Sequence, residues 1–113
     1  MIKILVIGIA GRMGKTIAEC IEETEGVELG GGTEQAGSDF INQDIGEVAG
    51  IGKKEITLVD DPALALKECD VAIDFTTPAS SMFTLNSAVE SGKPVVVGTT
   101  GFSMDQKKEL TYI

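Results

Sequence analysis

Apolar residues open the chain in a nearly continuous run, Ile2-Lys3-Ile4-Leu5-Val6-Ile7, and the period changes directly after it. Five of these six side chains are apolar and branched, which reads as a strand buried on both faces, as strands of parallel sheets are. From Met13 the apolar positions recur every four residues: Met13, Ile17 and Ile21, with Ala18 beside them, share one helical face. Lys15, Glu19, Glu22 and Glu23 take the other faces. A second apolar run, Val27 to Thr33, predicts the next strand. Residues 35–54 are rich in Gly, Asp, Asn and Gln with little periodicity, and predict a long loop with one helical turn around Phe40–Ile41. A loop of that length in a compact domain is usually functional or mobile.

The second half repeats the alternation. Glu55 to Val59 predicts a short third strand, and Asp60 or Asp61 caps a helix with Pro62 in its first turn, running to about Glu68. Val71 to Phe75 predicts a fourth strand, and a helix over Pro78 to Glu90 stops at Ser91-Gly92. Pro94 to Gly98 predicts a fifth strand, and a last helix opens near Ser103 and runs through Leu110. Strands alternating with helices at this spacing imply an α/β fold: a Rossmann-like, doubly wound, mostly parallel sheet with helices on both faces. Ligands of such sheets bind at the carboxyl ends of the strands, where the strand order reverses.

Three glycines, Gly8, Gly11 and Gly14, stand between the first strand and the first helix. Gly8 suits a tight turn off the strand, Gly11 leaves no Cβ in the way of a ligand, and Gly14 lets the helix lie close to the sheet. The amides of Gly11, Arg12 and Met13 are then expected to be the unpaired donors of a first helical turn, a site for a pyrophosphate. Arg12 adds a guanidinium there. A plain glycine-rich turn is the competing reading, and the spacing is Gly-x-x-Gly-x-x-Gly, not the commoner Gly-x-Gly-x-x-Gly. A second feature favours the nucleotide. Glu34 lies 20 residues beyond Gly14, where dinucleotide-binding folds place the acid that accepts from the adenosine ribose. Its alternative is a solvated loop carboxylate. Gly30, Gly31 and Gly32 before it suggest close approach by another backbone or a ligand. Phe75 and Thr76 after the fourth strand, and Gly98, Thr99 and Thr100 after the fifth, fall on the same rim, where ordinary turn chemistry is the alternative.

Composition narrows the choice. The chain has 113 residues, enough for one domain with a core, and its 42% hydrophobic content is globular. No run approaches the length of a membrane span, and Ile2 to Ile7 is too short for a signal peptide's apolar region. A net charge of −9 with one Tyr, no Trp and no basic cluster is not that of a nucleic-acid binder. It also means that an anionic cofactor must be drawn in by local donors against the overall field. The chain has no His, the commonest general acid–base and metal ligand, so no catalytic or metal-ligating residue is assigned. Cys20 and Cys69 lie far apart in or beside apolar stretches and read as reduced, buried thiols of a cytoplasmic protein.

Taken together, Gly8-Ile9-Ala10-Gly11-Arg12-Met13-Gly14, Glu34, Asp74-Phe75-Thr76 and Gly98-Thr99-Thr100-Gly101-Phe102 resemble 4-hydroxy-tetrahydrodipicolinate reductase (dihydrodipicolinate reductase), of the bacterial lysine and diaminopimelate pathway. The pieces occur in the family's order and cover essentially the whole chain. The resemblance implies an amino-terminal domain that binds NAD or NADP in reduced form, in an enzyme that reduces an unsaturated heterocyclic dicarboxylate. Carried over by position, Gly8, Ile9, Ala10, Gly11, Arg12 and Met13 would hold the pyrophosphate and Glu34 the adenosine ribose. Gly98, Thr99 and Thr100 would hold the nicotinamide end, with Thr100 close enough to touch substrate.

Two departures qualify it. The residue after the family's acid is often basic, placed to meet a 2′-phosphate, and here it is Gln35. The family's His- and Lys-containing substrate motif is absent, and the chain stops at Leu110-Thr111-Tyr112-Ile113 without a helix cap. The expectation is an incomplete dinucleotide-binding domain over residues 1–113, inactive alone, from an enzyme expected to be a homo-oligomer. Two other readings stay open: a stand-alone nucleotide-sensing module, and the dinucleotide half of another amino-acid dehydrogenase.

Overall fold

The computed structural model describes residues 1–75, 84, 86 and 92–98. Among them, four parallel strands form one sheet: β1 (Ile2–Ile7), β2 (Val27–Thr33), β3 (Val71–Asp74) and β4 (Val95–Val97), in the order β2-β1-β3-β4. Among the described residues, helices α1 (Arg12–Glu22), α2 (Ile45–Ala49) and α3 (Pro62–Leu66) lie between β1 and β3 in sequence. Because β1 is central, both its faces are covered, which is why its sequence scarcely alternates. Ile4 and Val6 join Ala18, Ile21, Leu29, Ile45 and Leu58 in one core, on the side of α1 and α2. Leu5 and Ile7 join Ala65, Leu66, Cys69 and Ala72 in the other, on the side of α3. Helices therefore lie on both faces, and the strand order reverses between β1 and β3.

The expected third strand is present only as an extended segment. Thr33 bridges Val59 in parallel and Asp44 bridges Thr57 antiparallel, with no continuous ladder. Two features interrupt it. Glu55 takes φ 60, which breaks the extended backbone at its start. The segment also divides its hydrogen bonds, with Val59 paired to Gly32 and Glu34 on one side and Leu58 paired to Asn42 and Gln43 on the other.

The helical turn expected at Phe40–Ile41 is a plain turn, and the helix lies slightly later, as α2. Asp44 is its N-cap, accepting from the amides of Gly46 and Glu47, and Gly50 closes it with a left-handed φ of 78. The Asp-x-x-Glu spacing from Asp44 to Glu47 was the signal for it. Helix α3 begins as expected, with Asp61 accepting from Ala63 and Leu64 and Pro62 in the first turn.

Gly30 to Gly32 make room for neighbouring side chains, and they also line a cavity of about 190 Å³ with Ile56, Val59 and Leu64 among others. A Cβ on Gly30 would stand 2.8 Å from Lys3 Cβ, one on Gly31 3.0 Å from Leu5 Cδ1, and one on Gly32 2.9 Å from Ile9 Cδ1. Gly30 is also the extra residue where the β1–β2 register shifts, Ile4 pairing with Leu29 and Leu5 with Gly31. Cys69 is buried and Cys20 is exposed, which corrects the expectation for Cys20. Burial pushes the Cys69 thiol up to about 11, although Lys93 and Lys3 pull the other way. Of the helix expected over 78–90, Thr84 and Asn86 are described and both are helical. The last expected helix lies outside the described residues. Among the described residues no helix is long and apolar enough to cross a membrane.

Candidate functional site

The carboxyl end of β1 turns at Gly8, whose φ of 73 lies in the left-handed region that glycine enters at no steric cost. Each amide of the following loop has a partner. Gly8 N–H and Ile9 N–H both donate to the Thr33 carbonyl, at 2.9 and 3.2 Å. Ala10 N–H donates to Glu34 Oε1 at 2.9 Å. Gly11 N–H donates back to the Gly8 carbonyl at 3.0 Å. Gly11 is the N-cap of α1, with φ −75 and ψ 168, and contributes no capping side chain.

The next three amides, of Arg12, Met13 and Gly14, meet no acceptor among the described residues. They are the first-turn donors that a helix cannot pair internally, and the positive end of the helix dipole stands behind them. No acid occupies this first turn. Backbone N–H groups, helix dipole and the exposed Arg12 guanidinium together favour an anion.

Glycine spacing sets the clearance. A Cβ on Gly14 would fall 2.7 Å from Ile9 Cα and 2.9 Å from the Gly8 carbonyl carbon, so α1 can lie this close only with glycine there. A Cβ on Gly11 would meet nothing nearer than the Gly8 carbonyl oxygen at 3.4 Å, so that side of the loop is open. In front of it is a cavity of about 260 Å³, lined by Gly8, Gly11, Arg12, Gly14, Glu34 and Phe75 among others. Phe75 is 41% exposed, and its ring occupies the space that a Cβ on Gly98 would need. Gly98 N–H donates to the Asp74 carbonyl at 2.8 Å, which joins the ends of β3 and β4.

Residues 2–113 match the family described as "Dihydrodipicolinate reductase, N-terminus". The chain belongs to the dihydrodipicolinate reductase family. Similar relatives named 4-hydroxy-tetrahydrodipicolinate reductase include those of Chromohalobacter salexigens, 41% identical over 110 residues, and Hahella chejuensis, 42% identical over 110 residues. Each alignment covers 97% of this chain and 41% of the relative, so the chain spans about two fifths of the length of these relatives. Among solved structures, the dipicolinate-bound dihydrodipicolinate reductase of Paenisporosarcina sp. TG-14 has a TM-score of 0.71 at 22% identity, covering 99% of this chain and 42% of that one. An amine dehydrogenase from Mycobacterium smegmatis has a TM-score of 0.73 at 24% identity, covering 85% of this chain and 29% of that one. At these identities the structural likeness speaks for the fold.

Within this family frame the structure gathers Gly8, Gly11, Arg12, Met13, Glu34 and Phe75 around one cavity and sets Gly98 against Phe75. Ile9 and Ala10 belong to the loop's scaffold: the Ile9 side chain is fully buried, and the Ala10 amide is held by Glu34. The unpaired amides differ by one residue from the expected set, because Gly11 N–H turns back to Gly8 and Gly14 N–H takes its place. Met13 is 53% exposed and lines the cavity, where periodicity had put it in the core. Thr76, Thr99 and Thr100 lie outside the described residues. The sequence reading missed the Thr33 carbonyl, which anchors two loop amides, and no local pattern marks it.

Of Lys53 and Lys54, the next basic residues after Glu34, Lys54 pairs with Glu22 at the end of α1 remote from the glycine loop, and Lys53 is exposed. Residues 35–37 after Glu34 are Gln, Ala and Gly, all exposed and uncharged.

Proposed function

We propose that these 113 residues are the dinucleotide-binding domain of a longer 4-hydroxy-tetrahydrodipicolinate reductase of lysine and diaminopimelate biosynthesis. The observation that carries this reading is the convergence of three unpartnered helix amides and the Glu34 carboxylate on one cavity of about 260 Å³. The residues fit the cofactor: the open face of Gly11 admits a pyrophosphate, and Arg12, Met13 and Gly14 offer it their N–H groups. Arg12 adds an exposed charge. Glu34 has one oxygen engaged by Ala10 and a second available to a ribose hydroxyl. Gly98, Thr99 and Thr100 are assigned to the nicotinamide end, as in the resemblance, with Phe75 and Thr76, which follow β3, as further cofactor contacts. The bound nicotinamide supplies the hydride, and this domain's part is to bind and orient it, with a heterocyclic dicarboxylate as the acceptor in the full-length enzyme. A cytoplasmic location suits the free Cys69 thiol.

NADH is proposed to bind at least as tightly as NADPH. Glu34 would repel a 2′-phosphate, Gln35 to Gly37 supply no compensating cation, and Lys54 is held elsewhere by Glu22.

The direct test is a thermal-shift titration. NADH at about a hundred times its Kd adds roughly 2.7 kcal/mol to the folded state, so the melting temperature is expected to rise clearly. A folded chain that shows no shift with millimolar NADH or NADPH removes the reading.

A further inference from the structure

The end of β2 does more than offer a carboxylate to a ribose. Thr33 and Glu34 are consecutive, and between them they hold three successive amides of the glycine loop: the Thr33 carbonyl takes Gly8 and Ile9, and Glu34 Oε1 takes Ala10. The Ala10 bond is the only side-chain contribution among these three, and it is partly buried. Glu34 is itself fixed from behind, since its N–H donates to the Val59 carbonyl at 3.1 Å. Two residues beyond Ala10 the unpaired amides begin. The direction in which Arg12, Met13 and Gly14 present their N–H groups is thus set by a loop whose last amide before the helix cap is held by this carboxylate.

Resting on the reading above, we infer that Glu34 is a positioning residue for the phosphate-binding loop as well as the proposed ribose acceptor. One oxygen orders the loop through Ala10, and the other is left for the adenosine ribose. The two halves of the dinucleotide site are coupled through a single side chain. The consequence is unusual for a ribose-binding acid: removing the Glu34 acceptor weakens binding of a ligand that has a phosphate and no adenosine.

Reduced nicotinamide mononucleotide is such a ligand, and its fluorescence reports binding. Two variants separate acceptor from charge. Glu34→Gln keeps an oxygen that can accept from Ala10 N–H, whereas Glu34→Ala has none. Both remove the negative charge, so the ratio of their affinities isolates the acceptor. A hydrogen bond of this kind corresponds to roughly a tenfold change in binding. We expect the mononucleotide to bind Glu34→Gln about tenfold more tightly than Glu34→Ala. Amide exchange followed by NMR is expected to show Ala10 N–H protected in the unmodified chain and in Glu34→Gln, and faster by a similar factor in Glu34→Ala. A general loss of stability would not single out Ala10, nor be rescued by glutamine alone. Equal mononucleotide affinity in the two variants, with equal Ala10 exchange, overturns the inference while NADH binding by the unmodified chain still stands. If the folded unmodified chain binds neither NADH nor the mononucleotide, the nucleotide reading fails and the inference falls with it.

Discussion

Gly11 and Gly14 stand three residues apart in one loop–helix junction and do different work. At Gly14 a methyl group would be driven into the Gly8–Ile9 backbone, to 2.7 Å from Ile9 Cα. At Gly11 the nearest protein atom would be 3.4 Å away, and φ and ψ are those of an ordinary extended residue. Gly14→Ala is therefore expected to destabilise the fold by about 1–3 kcal/mol through overpacking. Gly11→Val is expected to melt close to the unmodified chain and to lose NADH, because its branched side chain fills the space of a pyrophosphate. Melting curves with and without NADH check both outcomes, and a Gly11→Val chain that binds normally would reduce the loop to a turn. The same contrast separates the cysteines: α1 turns Cys20 to solvent, while Cys69 lies beneath the glycines of β2.

Among the elements, the 44–56 segment owes its shape to one side chain. Asp44 accepts from the amides of Gly46, Glu47 and Lys54 at Oδ2 and of Ile56 at Oδ1, all between 2.9 and 3.1 Å. It caps α2 and fastens the returning chain to that cap. Desolvation is the largest single influence on this carboxyl and pushes its pKa up, but the amides of Lys54, Glu47, Ile56 and Glu55 together outweigh it, and the value is lowered. A lowered folded pKa means that the ionised form stabilises the fold. That contribution is fully present above the ordinary value of 3.8 and is lost as pH falls through the lower folded value. Asp44→Ala is expected to cost about 2–3 kcal/mol near neutral pH, from the cap and the amides left without an acceptor. The stability gap between Asp44→Asn and the unmodified chain should narrow as pH drops below 3.8, which denaturant titrations across that range would show. Lys93 works similarly at the end of α3, where its ammonium donates to the Leu66 and Cys69 carbonyls and ties the approach to β4 to that helix.

For the whole molecule, the net charge of −9 opposes an anionic cofactor, and the site answers with local donors. Charge placement also decides the cofactor. With Lys54 held by Glu22, NADH is expected to bind at least as tightly as NADPH, and Gln35→Arg to move the balance toward NADPH by supplying a cation beside Glu34. Paired titrations at low and moderate salt would check this, and a clear NADPH preference in the unmodified chain would contradict it. The 113 residues contain no His, and relatives extend well beyond the matched portion, so this chain alone is expected to bind cofactor without turning over. Oxidation of NADH by the pure chain, dependent on the heterocyclic dicarboxylate, would show otherwise.

The amino-acid sequence by itself determined the alternating elements, the buried central strand, the glycine turn and the acid that follows β2. Each of these rests on local spacing: apolar period, glycine at a turn, a carboxylate at a strand end. It also contained the Asp44–Glu47 cap, as an Asp-x-x-Glu spacing within the long loop. Tertiary structure alone decided the rest. Met13 lies on the apolar stripe of α1, yet it falls beyond the covered part of the helix and becomes a cavity wall. The segment 55–59 has the composition of a strand, but Asp44 and the turn at Glu55 divide its hydrogen bonds. Which amides remain free depends on Gly11 folding back to Gly8 and on Glu34 reaching across 24 residues to Ala10. Lys54 is directed away from Glu34 by a carboxylate at the far end of α1. These outcomes turn on which distant groups meet, and spacing along one chain does not encode such meetings until the chain has folded.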